Sequence, residues 1–203
     1  MAPLLLDALL YVVLPLWLLA GFTDYVLHKR TQIEHTAGMG ESLLHLLQLS
    51  EIGLPVLLGL LFEINSVILL VMLVAFMVHE ATALYDVSYA LHRRRVGVLE
   101  QHVHSFMEVL PFVALLFVTI LNWDQLLALF GLDSDPPRFE LKLKTDPIPT
   151  GYLVTLLSSI VFFTVVPYME ELWRCVKAER HRLVESDIAQ AASRSASFRG
   201  TYE

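Results

Sequence analysis

Apolar residues in this chain fall into long blocks rather than alternating with polar ones. Five blocks approach the ~20 residues that a helix needs to cross a bilayer. They are about Pro3–Phe22, Leu43–Phe62, Ile64–Leu84, Phe106–Leu121 and Tyr152–Tyr168. The fourth is short and gains length from Leu127–Phe130 or from the turn containing His104. The pattern predicts an all-α integral membrane fold of about five transmembrane helices, with one helical domain over residues 1–169. A tight external turn is expected around Glu63–Ser66, and an external loop over about residues 122–149. In that loop DSDPP and TDPIP are turn signals, and the alternating RFELKLK between them reads as a short strand or an interfacial segment. Residues 170–203 read as a cytoplasmic polar helix, about Glu170–Ala192, followed by a disordered tail, SRSASFRGTYE.

Composition strengthens the membrane assignment. Of the 203 residues 56% are hydrophobic and only 17% charged, whereas a soluble domain has about a quarter of its residues charged. The N-terminal block has no basic n-region and reads as a retained span rather than a signal peptide. Lys29 and Arg30, Arg93–Arg95, and Arg174 through Arg199 in the tail all fall on one side of a five-span arrangement. Arg138, Lys142 and Lys144 lie on the other side, outnumbered by acids. The positive-inside rule then puts the C-terminus in the cytoplasm and the N-terminus outside. The compact chain and the lack of retention signals suit a bacterial inner membrane. A net charge of −7 with scattered basic residues excludes a nucleic-acid binder. The single cysteine, Cys175, excludes a disulfide framework, a cysteine-based zinc site and a cysteine-ligated iron–sulfur cluster carried by this chain alone.

The ionisable residues sort by side. His28, His35, His45, His79, His92, His102 and His104 all fall on the cytoplasmic face of that arrangement, leaving only His181 in the tail. Spacing groups them further, because residues four or seven apart share a helix face. Asp24 and His28 are four apart, with His35 continuing the stripe if the helix extends that far. Glu41 and His45 are four apart, with Gln48 at the next turn. His79 and Asp86 are seven apart, with Glu80 beside His79. Glu100, His104 and Glu108 follow at four-residue steps, with His102 between. Each of four helices thus offers histidine and carboxylate near one depth, which is how metal pairs are held in four-helix bundles. Some of the acids suit a role orienting an imidazole rather than binding a metal. Acids inside a span, such as Glu51 and Glu108, carry an insertion penalty of roughly 2.5–3.5 kcal/mol and so point to a partner or a cavity. A single histidine near a helix end is ordinarily an interfacial residue, but seven sorted to one face are not explained that way. Lys29, Arg30 and Arg93–Arg95 read as topology determinants. Glu170–Arg174 is one residue short of the EExxxR spacing of membrane CAAX-type proteases and is given no site role.

This pattern over about Asp24–Glu108 resembles the histidine-rich membrane di-iron enzymes, the fatty acid desaturases and hydroxylases. The family's HxxxH and HxxHH boxes are replaced here by His28-x6-His35, Glu41-x3-His45, His79-Glu80 and His102-Val103-His104. The resemblance implies a di-metal oxidoreductase, with two iron ions, acting on a membrane lipid or other apolar substrate. The mixed imidazole and carboxylate donors suit iron or manganese. With no GxGxxG fingerprint and no cysteine cluster, electrons would come from a separate reductase or ferredoxin. A zinc-dependent membrane hydrolase needs only three of the ligands and a water. A haem-binding electron carrier needs histidines facing each other across an apolar slot. A metal or proton transporter needs polar residues through the whole bilayer, and the outer halves of the third and fourth spans have almost none.

Overall fold

The structure, a computed structural model, describes residues 2–199, with side chains through residue 191. It is all-helical. Helix α1 covers Ala2–Thr31, α2 Gly38–Leu61, α3 Ser66–Leu91, α4 Val98–Leu121, the short α5 Trp123–Leu129, and α6 Thr150–Ala191, continuing to Arg199. All except α5 are long and apolar enough to cross a membrane. Each begins or ends beyond the apolar block that predicts it, because the polar residues at its flank stay helical. The segment 193–203, expected to be disordered, is helical through Arg199, and residues 200–203 lie outside the described residues.

The five long helices alternate in direction and pack as a ring in the order α1, α4, α3, α2, α6 and back to α1. Proline shapes four of them. A helical proline lacks an N–H and its ring crowds the carbonyl four residues back. For Pro15 and Pro167 those carbonyls belong to Tyr11 and Phe163, and both fall inside π-helical turns, Leu9–Val13 and Val161–Val165. The wider turn relieves the clash. Leu14 N–H then reaches Leu9 O, which leaves Leu10 O without a donor from its own helix. Tyr152 Oη supplies one at 2.5 Å and so ties α6 to α1. Pro55 and Pro111 lie within α2 and α4.

At the end where α2 meets α3, Asn65 caps α3 by accepting from Ile68 N–H at 3.2 Å. The segment expected to be a strand or interfacial forms no strand. It lies extended across this turn, with an isolated bridge between Phe62 and Leu143. Glu63 N–H donates to Lys142 O at 2.8 Å and Lys144 N–H to Leu61 O at 3.0 Å. The Glu63 carboxylate accepts from Thr145 Oγ1 and Lys142 Nζ, which hold it below its ordinary pKa. Leu10, Leu14, Leu18, Leu60 and Leu156 form the apolar core of this half.

At the opposite end, α1 stops at Gln32, whose φ of 53° reverses the chain. The turn that follows is anchored by fully buried Ile33 and by an ion pair between Glu34 and Arg174 of α6. Tyr89 packs over Gly40, where a Cβ would overlap its phenol ring.

Candidate metal centre

The ionisable residues of α1–α4 converge inside the ring at this second end. Helical spacing explains the convergence. Asp24 and His28, Glu41 and His45, and His79 and Asp86 are all buried pairs on inward faces. Glu100 is buried and His104, one turn on, is nearly so. His104 Nε2 lies 2.9 Å from Asp24 Oδ1, joining α4 to α1. His28 Nε2 lies 3.0 Å from Glu100 Oε1, 3.4 Å from Asp24 Oδ1 and 3.8 Å from Glu41 Oε1. The His28 and His45 rings stack with centroids 4.7 Å apart.

Two residues outside the expected set complete the cluster. Glu171, from α6, is fully buried and bridges the edges of the two stacked rings. Its Oε2 lies 3.2 Å from His28 Nδ1 and its Oε1 2.9 Å from His45 Nδ1. A carboxylate can only accept, so both Nδ1 atoms carry the proton and both Nε2 atoms point away from Glu171. The site therefore draws on five helices rather than four. A signal for Glu171 is present in the sequence: Thr164, Tyr168, Glu171 and Cys175 follow a 4-3-4 spacing, and all four are buried.

The second is Arg94, from the turn between α3 and α4. Its guanidinium forks onto Glu41 and Glu100. Nε reaches Glu41 Oε2 and Nη1 reaches Glu100 Oε2, each at 3.0 Å, and Nη2 contacts the other oxygen of both acids. Burial alone would lower the arginine's pKa, but its hydrogen bonds to Glu41 and Glu100 raise it above the ordinary value. Three consecutive arginines give no local sign of which one turns inward.

Two features suit a bound cation. Asp24, His28, Glu100 and His104 each bring one donor atom within 4.8 Å of the others, and so do His28, Glu41 and His45. His28 belongs to both groups. His28 Nε2 lies 3.0 and 3.4 Å from carboxylate oxygens and also 3.2 Å from Arg94 Nη2, which can donate to it. Second, a cavity of about 20 Å³ lies among Asp24, His45, His79, Asp86, His104 and Glu108. Roughly 10–15 Å³ is enough for one water-sized sphere. Asp24 Oδ2, His45 Nε2, His79 Nδ1 and Asp86 Oδ1 are buried beside it without a hydrogen-bond partner among the described residues. Buried polar atoms are nearly always satisfied, so four together could accommodate a bound species.

The remaining predicted residues lie at the margin or outside. His79 Nδ1 is 3.7 Å from Glu51 Oε2, too far for a hydrogen bond, while Glu51 Oε1 accepts from Thr82 Oγ1 at 2.8 Å. Gln48 donates to Asp86 Oδ2 at 3.0 Å. Glu108 is half-buried at the small cavity, and Glu80 is half-buried with one oxygen unpartnered. His35 is exposed, because α1 ends before reaching it. His102 is exposed against Phe106, since a residue two positions from His104 points to another helix face. His92 is exposed and bonded to Ser88 O.

No family model, curated protein or solved structure matches the chain.

Proposed function

We propose that this chain is a membrane-embedded di-metal oxidoreductase, with two iron ions, that hydroxylates or desaturates a lipid or other apolar substrate. The observation that carries this reading is the two groups of histidine and carboxylate donors within 4.8 Å of one another. Asp24, Glu41, Asp86, Glu100 and Glu171 are five buried carboxylates facing one buried guanidinium. An unbalanced buried charge costs several kcal/mol per ion, so the four remaining charges need partners. Two divalent cations beside neutral imidazoles would match all four, and protons on His28, His45 and His104 would match three.

The donor set divides by role. Asp24, His28, Glu100 and His104 would hold one ion. His45 and Asp86 would hold the other, with His79 at its edge. Glu171 would orient His28 and His45 without touching metal. Imidazole mixed with carboxylate favours iron or manganese over the softer-ligand metals. When bound, the metal pair supplies dioxygen activation. In the overall reaction dioxygen takes four electrons, two from the substrate C–H bonds and two from a separate reductase or ferredoxin. The apolar surroundings keep bulk water away, and Arg94 keeps Glu41 and Glu100 ionised and in place. The basic flanks at this end would put the site at the cytoplasmic face of a bacterial inner membrane.

Metal analysis of detergent-purified protein, with a visible spectrum of the same sample, tests the reading. About two irons per chain and no Soret band are expected. One zinc per chain would indicate a hydrolase, and a Soret band a haem carrier. An iron-supplied preparation with no metal would overturn the metalloenzyme and leave ion transport or a structural role.

A further inference from the structure

The other half of the ring holds a part-open cavity of about 440 Å³, within the ~300–1,000 Å³ of ordinary ligand sites. Its walls are aliphatic, from α1, α2, α3 and α4, with Leu10, Val56, Ala114 and Val118 among them. Its mouth lies under the extended segment and is polar, with Lys144, Asn122, Glu63 and Asp146. Glu63 is already engaged by Lys142 and Thr145. Lys144 is half-buried, and its ammonium makes no hydrogen bond or ion pair among the described residues. Burial pulls the Lys144 pKa below its ordinary value, and the nearby Glu63 carboxylate only partly offsets this.

The floor of this cavity points at the ionisable cluster. Ile52, Phe76 and Pro111 line it, and one helical turn further on Leu49, His79 and Met107 line a small void of about 30 Å³. His45, Gln48, His79 and Met107 border both that void and the one beside Asp24 and Asp86. A turn is about 5.4 Å along the axis, so little more than Met107 and Leu49 separates the cavity from the cluster. Methionine is the side chain best able to swing aside.

We propose that this cavity binds a single-chain amphiphile with an anionic headgroup, the headgroup on Lys144 and the chain end directed towards the ionisable cluster. The substrate therefore loads from the face opposite the metals. The identity of this ligand as substrate rests on the di-metal reading, whereas its binding and orientation do not.

Stearate carrying a nitroxide at carbon 5 or carbon 16, added to the purified full chain, tests this by electron paramagnetic resonance. The immobilised signal counts bound chains whether or not metal is present. One saturable site per chain is expected. Lys144→Gln should weaken it about tenfold, the loss of a hydrogen bond to a charged group, and Lys144→Arg should restore it. Ala114→Trp, or Val118→Phe if the first variant does not fold, should abolish it with metal content unchanged. In metal-loaded protein the carbon-16 label should be broadened more than the carbon-5 label. An immobilised signal indifferent to both Lys144→Gln and the cavity-filling variant would overturn the proposal, as would stronger broadening at carbon 5. Metal without saturable stearate overturns this inference alone. Stearate bound as described, in protein that takes up no metal, sustains the site and overturns the di-metal reading.

Discussion

The two halves of the helical ring fill their interiors in opposite ways. Around Leu10, Leu14, Leu60 and Leu156 the interior is aliphatic and leaves a large cavity. Around His28, His45 and Glu171 it is packed with ionisable groups and leaves only voids of water or ion size. The same helices supply both. In a bilayer, apolar side chains gain little by leaving lipid for one another, so helix association relies on packing and polar contacts. The ionisable half therefore holds α1, α2, α3, α4 and α6 together, and the apolar half is free to remain open. The polar contacts that tie the helices together lie at one end of the ring, and the large cavity lies at the other.

Changes to Glu171 should break this contrast most strongly. Glu171→Ala leaves two buried imidazoles without their common acceptor, and losing one partner of a buried pair costs about 3–5 kcal/mol. A large fall in thermal midpoint is expected, together with loss of metal. The milder Glu171→Gln keeps the shape but can accept from only one Nδ1–H, and should weaken metal affinity about 10–100-fold, the usual effect of losing a group that orients a ligand.

Arg94→Met comes next. Without metal it strands Glu41 and Glu100, so apo protein should lose about 3–5 kcal/mol. Thermal melts with and without added iron should show the metal recovering much of that loss, because bound metal would supply the positive charge that Glu41 and Glu100 lose with Arg94. A deficit that metal leaves untouched would contradict the cation-balance argument.

Leu60→Ala sharpens the comparison from the other half. In a water-soluble core this change costs about 2–5 kcal/mol. Here the removed atoms are exchanged for lipid-like surroundings, so a smaller loss is expected, with metal content unchanged. Smallest of all should be His35→Ala, His92→Ala and His102→Ala. These exposed side chains should shift stability by no more than about 0.5 kcal/mol and leave metal stoichiometry intact. Loss of metal in His102→Ala would place the site elsewhere on α4.

Much of this architecture was legible in the chain. The apolar blocks carry the five long helices, since length and hydropathy are local properties. The four-residue pairs Asp24–His28, Glu41–His45 and Glu100–His104 were legible for the same reason: helical geometry alone puts both members on one face. Spacing could not decide which face turns inward, and so His102 and His35, on the predicted side of the arrangement, lie outside the cluster. Arg94 was hidden because its partners, Glu41 and Glu100, come from two different helices and its own turn has no periodicity. Glu171 was hidden by its setting, a polar run read as the start of a solvated helix, although its 4-3-4 stripe with Thr164, Tyr168 and Cys175 marked a buried face.

Anomalous diffraction at the iron edge, from crystals of protein grown with iron, tests the central claim most directly. The account predicts two peaks inside the ring, one among Asp24, His28, Glu100 and His104 and one beside His45 and Asp86. No peak there, with Arg94 still forked onto Glu41 and Glu100 as the only cation of the cluster, would contradict it.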